Sequence, residues 1–408
     1  MPLPLPKVQA PEPLPVAAPR SPFGYAFSRL PDLLARYGEC LNVAVIYGGD
    51  KDRPASVMYR THNPRDWKSY QPVAADIANS LRSVGFRHVH LMAEDMTLAE
   101  RLRRHRIHFA WLNSGGVQGY NPVCHLPATL EMLGVPYVGH NPLSASILDN
   151  KHAFKRELLT AGIPTAEYLT WDGSRGPLVP QINSRFQQAF ADYAGPFIVK
   201  PVSGRASVHV YLADTAEDVP GIVAKVYHAT HNLVLIERYL PGREFVVSVC
   251  GPVISRGGRL AKCPEAFAFS ALERRLQPDE AIFTSMDIRP ITGRRVRLLD
   301  RTGEAELIEE LYAMARRVYL DFNLETLVRI DIRADAGGRL HVLEANPKPD
   351  LARPVGDRLS LVCAGLAAED MTYDDLILSV IANRLDSLLA HRPDTVRHLV
   401  ELADGILS

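Results

Sequence analysis

Cysteine is scarce in this chain: five in 408 residues (Cys40, Cys124, Cys250, Cys263 and Cys363), with no C-x-x-C pair. Scattered thiols without paired spacing argue against a disulfide framework or a structural zinc site, and they fit a cytoplasmic protein with reduced cysteines. An excess of charge is missing too. Lys plus Arg number 46 and Asp plus Glu number 46, so the formal net charge is zero. A neutral chain carries no electrostatic footprint for nucleic acid, and none is expected as a partner. No apolar run approaches the roughly 18 residues that span a bilayer. No basic segment leads into an apolar one at the start, so neither a membrane partner nor a signal peptide is expected. Finally, neither G-x-x-x-x-G-K-[ST] nor G-x-G-x-x-G occurs, which weighs against P-loop and Rossmann dinucleotide sites.

What is present is the composition of an ordinary globular protein, 47% hydrophobic and 23% charged. The length suggests two or three domains. Residues 1–22 carry prolines at positions 2, 4, 6, 11, 13, 15, 19 and 22 and read as an extended arm. A short helix is expected within Ser21–Tyr37. Leu41–Tyr47 is then a buried strand running into Gly48-Gly49, and apolar strands alternate with helical stripes as far as about residue 140. That is a βαβ pattern, with the loop Asn113–Gly119 at a strand's carboxyl end, where open α/β sheets place ligands. The helix-face arginines Arg101, Arg103, Arg104 and Arg106 are read as solvated. His88, His90, His105 and His108 lack acidic partners and are read as surface residues, not metal ligands.

The most informative stretch is Thr326–Asp350, TLVRIDIRADAGGRLHVLEANPKPD. Val328, Ile330 and Ile332 alternate with Arg329, Asp331 and Arg333, the period of a half-buried strand. Asp335-Ala336-Gly337-Gly338 supplies a turn, and the returning strand ends in Glu344-Ala345-Asn346. Pairing brings Asp331, Glu344 and Asn346 together beside Arg329, an all-oxygen set suited to Mg²⁺. A second stretch, Gly195–Val208, ends an apolar strand in Lys200 and follows it with the small-residue loop Ser203–Ser207, a plausible phosphate clamp. The third is LVLIERYL followed by Pro241-Gly242-Arg243-Glu244.

Together these segments resemble the ATP-grasp ligases, most closely the D-alanine–D-alanine ligase branch, over roughly residues 41–390. The resemblance implies an α/β protein of ATP-grasp fold with an N-terminal Rossmann-like (pre-ATP-grasp) domain. Its divisions would be an arm at 1–22, a first domain at 23–140, a central lobe at 141–236, a C-terminal lobe at 237–392 and a tail at 393–408. It implies ATP held by Lys151 and Lys200 on the phosphates, by Glu237, Arg238 and the Leu240 backbone at the adenine edge, and by Glu244 on the ribose. Arg275 takes the place of the family's loop lysine on the γ-phosphate. Asp331, Glu344 and Asn346 would hold Mg²⁺ (or Mn²⁺), and Arg329 would stabilise the oxyanion of a tetrahedral intermediate. The implied reaction joins a small carboxylate to an amine through an acyl phosphate, releasing ADP, in a cytoplasmic homodimer. Two other readings stay open: a bicarbonate-activating carboxylase, and a nucleotide-binding regulator without catalysis. The first predicts bicarbonate-stimulated ATP turnover without an amine, the second no turnover at all.

The likeness weakens where amino acids would sit. Gly48-Gly49 runs into Asp50–Pro54 and an aromatic insertion through Trp67 and Tyr70. The family's H-G-x-x-G-E-D-G loop is replaced by Asn113–Pro122, and its T-x-P-G-M-T run by Pro347–Pro354. Lys348 and Arg353 add cations there. D-alanine is therefore expected to be a poor substrate, and a larger or more acidic carboxylate a better one.

Overall fold

The computed structural model describes residues 25–49, 69–119, 121–276, 280, 282, 295–356 and 360–404. The proline-rich arm and the insertion from Asp50 to Lys68 lie outside these residues. The expected first helix begins late: a 3₁₀ turn over Phe27–Arg29 leads into α1, Leu30–Cys40, with Pro31 in its first turn, where a missing N–H costs nothing.

The first domain continues through β1 (Asn42–Tyr47), α2 (Gln71–Ser83), β2 (His88–Ala93), α3 (Leu98–Arg104), β3 (Phe109–Asn113), α4 (His125–Met132) and β4 (Tyr137–Val138). The strands form a parallel sheet in the order β2-β1-β3-β4. Val43 and Val45 face the α1–α2 layer, and Ala44 and Ile46 face α3 and α4. Cover on both faces is why this strand is apolar along its whole length.

The central lobe contains α5 (Pro142–Asp149), α6 (Lys151–Thr160), β5 (Tyr168–Trp171), α7 (Ser184–Ala189), β6 (Phe197–Pro201), β7 (Tyr211–Ala213), α8 (Val219–Thr230) and β8 (Val234–Arg238). The helical pattern of 142–159 is broken at Asn150. Its extended backbone ends α5, while its side chain accepts from the N–H groups of His152 and Ala153 at 3.1 and 3.0 Å and so caps α6. The strands form an antiparallel sheet, β5-β8-β6-β7.

The C-terminal lobe is built from β9 (Glu244–Cys250), the hairpin β10 (Val253–Arg256) and β11 (Arg259–Lys262), β12 (Phe267–Arg274), β13 (Val296–Leu298), α9 (Ala305–Asp321), β14 (Val328–Ala334) and β15 (Leu340–Asn346). Its main sheet has the order β13-β12-β9-β14-β15. Two strands carry bulges. In β15 the register slips between the pairs Asp331–Glu344 and Ile332–Val342, and in β12 between Phe269 and Leu272, where Ser270 has φ 53°. Each bulge reverses which face later residues occupy.

The chain closes with α10 (Tyr373–His391) and α11 (Arg397–Ala403). Thr372 and Asp375 form a capping box at the start of α10. Leu376, Ile377, Val380, Ile381 and Leu385 join one core with α1, α2 and β1, and burying each such side chain contributes about 1.5–3 kcal/mol. The buried polar residues of α10 act as a strand partner for β10. Asn383 accepts from the Val253 N–H at 2.7 Å and donates to its carbonyl at 2.6 Å, and Ser379 accepts from the Ser255 N–H at 2.8 Å. Backbone groups that an edge strand would leave open are thus satisfied by a helix. The expectation of a tail at 393–408 is corrected over 393–403. Val396 and Leu399 are fully buried, because α11 packs against α1.

Candidate active site

The two antiparallel sheets turn polar faces toward one another. Alternation along β6 and β8 sends Phe197, Val199, Val234 and Ile236 into the central lobe's core, and Ile198, Lys200 and Glu237 to the other side. In the C-terminal lobe Phe245, Val247, Ile330 and Ile332 share a core with α9, and Glu244, Arg274, Asp331 and Arg333 face away from it. The link from β8 to β9, Arg238–Leu240, closes one end. Six cations and four carboxylates line the cleft between them, and the cation surplus suits a polyanion.

Lys200, at the end of β6, donates to the Glu237 carboxylate on neighbouring β8. Lys155, fully buried on α6, lies 3.0 Å from the other Glu237 oxygen and donates to Thr165 Oγ1 at 2.6 Å. Burial alone would raise the Glu237 pKa; Lys155 and Lys200 outweigh it and hold the group below its usual range. Both carboxylate oxygens are thus engaged by lysines. Glu237 thus anchors Lys200, while the N–H groups of Arg238 and Tyr239 donate to the carbonyls of Glu167 and Pro196 at 3.0 and 3.1 Å.

Lys151 donates to the Gly204 carbonyl at 2.8 Å and lies 3.3 Å from Glu344 Oε2, so it bridges the small-residue loop of the central lobe to the far sheet. From that loop Arg205 reaches Asp149 Oδ1 through Nε at 3.0 Å and Nη2 at 2.7 Å. Arg238 is held more loosely, over the Tyr193 ring at 4.3 Å.

On the C-terminal sheet Asp331 and Glu344 are cross-strand neighbours. Arg329 grips Asp331 side-on, Nε to Oδ1 at 2.9 Å and Nη2 to Oδ2 at 3.3 Å. Arg274 approaches Asp331 Oδ2 at 3.1 Å and donates to Glu244 at 2.8 Å. Arg333 bonds the other Glu244 oxygen at 3.4 Å and the Tyr239 hydroxyl at 3.1 Å. Burial would lower the Arg274 pKa, but Asp331 and Glu244 outweigh it and raise it. Burial would likewise raise Glu344. Lys151, Lys200, Arg329 and Arg274 reverse that and hold it at about 2, so it is ionised at neutral pH.

Of the residues singled out from sequence, Lys151, Lys200, Glu237, Arg238, Leu240, Glu244, Asp331 and Glu344 line this one cleft. Arg329 and Asn346, paired across the strands, stand outside the lining; Arg329 backs Asp331, and the Asn346 amide nitrogen is buried with no hydrogen-bond partner among the described residues. Arg275 is corrected to Arg274. Straight alternation from Phe267 and Phe269 would carry Glu273 and Arg275 to the cleft face. The bulge at Ser270 sends Leu272 and Arg274 there instead and leaves Arg275 exposed. Arg353 is also drawn away from any acceptor role. Its guanidinium pairs with Asp374, and its N–H donates to Asp76 at 3.0 Å. Lys348 lies over the Tyr70 ring at 3.6 Å.

Sequence reasoning missed Lys155, Arg205, Arg274, Arg333 and Tyr239. Two were within reach of it, since Lys155 is one helical turn beyond Lys151 and Arg333 continues the alternation of Arg329 and Asp331.

The donor set suits a hard divalent ion. Asp331, Glu344 and the side-chain carbonyl of Asn346 offer hard oxygen donors from the paired strands β14 and β15. Among the described residues no group of three or more His, Cys, Asp and Glu side chains gathers to hold a metal.

Residues 158–382 match the family model described as the D-ala D-ala ligase C-terminus. A D-alanine–D-alanine ligase of Gloeobacter violaceus is 28% identical over 289 residues, 71% of this chain and 86% of that protein. The crystal structure of the Bacillus anthracis D-alanine–D-alanine ligase complexed with ATP superposes with a TM-score of 0.61 at 19% identity, covering 85% of this chain and 97% of that one. The VanG D-Ala:D-Ser ligase of Enterococcus faecalis gives 0.59 at 13% identity, covering 85% and 99%. With more than half of its length matched by the family model and an ATP-grasp fold around a cation-lined cleft, the chain belongs to the D-alanine–D-alanine ligase family of ADP-forming carbon–nitrogen ligases.

Proposed function

We propose that the protein is an ATP- and Mg²⁺-dependent carboxylate–amine ligase that works through an acyl phosphate on a substrate pair other than two D-alanines. One observation carries this reading. Lys151, Lys200 and Arg274 converge from both lobes beside Asp331 and Glu344, a cation cluster and an oxygen pair facing each other across one cleft.

In this reading the Leu240 backbone pairs with the adenine and Glu244, steadied by Arg274 and Arg333, accepts from the ribose. Lys151 and Lys200 neutralise phosphate oxygens, with Lys155 and Glu237 fixing the direction of Lys200. Asp331, Glu344 and Asn346 would hold Mg²⁺, which supplies Lewis-acid charge stabilisation at the β and γ phosphates. A substrate carboxylate oxygen attacks the γ-phosphorus, the bond to the bridging oxygen breaks and ADP leaves. The amine of the second substrate then attacks the acyl carbon, and phosphate departs as the amide forms. Arg329, gripping Asp331 side-on, keeps that carboxylate aimed into the cleft.

The test is ADP release screened against pairs of D- and L-amino acids and small carboxylic acids, with the amide product followed by mass spectrometry. The expected outcome is turnover that requires both members of a pair and yields one amide per ADP. Bicarbonate-stimulated turnover without an amine would replace this reading with a carboxylase.

A further inference from the structure

Two lysines share one carboxylate beside the cleft, and only one of them reaches it. Lys200, at the end of β6, and Glu237, on β8, line the wall; Lys155, on α6, does not, and is fully buried behind them. Lys200 donates to one Glu237 oxygen, and among the described residues its ammonium has no other partner. The second oxygen lies 3.0 Å from Lys155 Nζ.

The surroundings of Lys155 fix both its charge and its place. Thr165 Oγ1 accepts from Nζ at 2.6 Å and the Ala166 carbonyl at 3.4 Å, with Glu237 Oε2 as the ionic partner. The Thr165 hydroxyl gives its own proton to the Val342 carbonyl of β15 at 2.7 Å, so toward Lys155 it is an acceptor. All three neighbours are acceptors, which suits an ammonium, whose nitrogen carries three donors and no lone pair. Burial pushes the Lys155 pKa down, and Glu237 opposes that. Lys155 has no place on the cleft wall and so makes no contact with a bound nucleotide.

Charge counting then gives this buried lysine a task. Two ammonium groups against one carboxylate leave the trio with one positive charge, and Lys200 is the member placed to deliver it. Without Lys155 the remaining pair is neutral. A phosphate would then draw on Lys200 only by leaving a buried carboxylate unpaired, which is strongly unfavourable. Resting on the ligase reading, we propose that Lys155 is a positioning residue for nucleotide binding: as the standing counter-ion of Glu237 it frees the charge of Lys200 for the phosphates.

The test separates phosphate recognition from everything else that holds a nucleotide. Adenosine and a non-hydrolysable ATP analogue with Mg²⁺ are titrated calorimetrically into the full chain, and the ratio of the two dissociation constants is read. Lys155→Met and Lys155→Gln should each lower the preference for the ATP analogue on the order of tenfold, as for groups coupled in one ion-pair network. Glutamine keeps a donor toward Glu237 and Thr165, so it decides the matter where thermal unfolding shows the methionine variant not to have folded. Adding Glu237→Gln to either variant should restore the preference to within about threefold of wild type, because no carboxylate is left to neutralise Lys200. A Lys155 that only filled space would weaken adenosine and the ATP analogue alike, leave their ratio at the wild-type value and gain nothing from the second substitution. An unchanged ratio in the single variants, a lowered ratio that Glu237→Gln does not restore, or a wild type without any preference overturns the proposal. ADP release by the wild type is scored separately. If amide forms while the ratio is unchanged in the variants, this inference fails and the ligase reading stands; if no pair releases ADP, the ligase reading fails and the titration still decides the role of Lys155.

Discussion

Glu344→Gln should lower turnover by at least 10²–10³-fold while the fold remains intact. The side chain is about one-third exposed (32%) at the β15 bulge, and glutamine nearly matches its shape, so thermal unfolding should move little. What it loses is the negative charge that Lys151, Lys200, Arg329 and Arg274 surround. Four cations would then crowd one site without the carboxylate that, in the proposed complex, ties the divalent ion to the phosphates. Binding of a fluorescent ATP analogue should accordingly lose most of its Mg²⁺ dependence. Asp331→Asn should be as inactive but also less stable, because Arg329 and Arg274 would lose the charge they share. A Glu344→Gln enzyme that keeps near-wild-type turnover at saturating Mg²⁺ would remove the metal assignment.

The second large effect concerns the substrates. The kcat/KM for joining two D-alanines should lie about 10⁴-fold or more below that of the best pair, because a site built for other polar groups leaves them unpaired with the wrong ligand. The surroundings of the metal strand's end differ in kind from a pocket for two methyl groups. Beyond Asn346 the chain runs through Pro347-Lys348-Pro349, and a small cavity there is walled by Trp111, Leu327 and Leu351, with Lys348 at its edge. Arg353 does not contribute, being tied to Asp374 and Asp76. Lys348 edges this cavity, and Lys348→Met should reduce the expected preference for an acidic substrate. A D-alanine pair faster than every other pair tested would overturn this expectation.

The residues that line the cleft were largely legible because their signals are local. The alternation of Arg329, Asp331 and Arg333 against Val328, Ile330 and Ile332 defines two faces without knowledge of any neighbour, and Lys200 is marked by the apolar strand it ends. The errors have a common cause in long-range structure. Neither bulge has a sequence signature, yet the one at Ser270 decides between Arg274 and Arg275, and the one in β15 turns both Leu343 and Glu344 into the cleft. Helical spacing puts Lys155 on the same face as Lys151, but its full burial against Glu237 is a tertiary fact. The polar residues of α10 gave no warning that they serve the edge of β10, nor that α11 returns to the first domain, since both depend on elements more than a hundred residues away.

The most direct test of the central claim is the fate of oxygen in a single reaction. With the best substrate pair and the carboxylate labelled with ¹⁸O, an acyl phosphate requires that one labelled oxygen pass to inorganic phosphate for each amide formed, with ADP as the nucleotide product. Label absent from phosphate, or the appearance of labelled AMP with pyrophosphate, would contradict the account and show that the carboxylate is activated in another way.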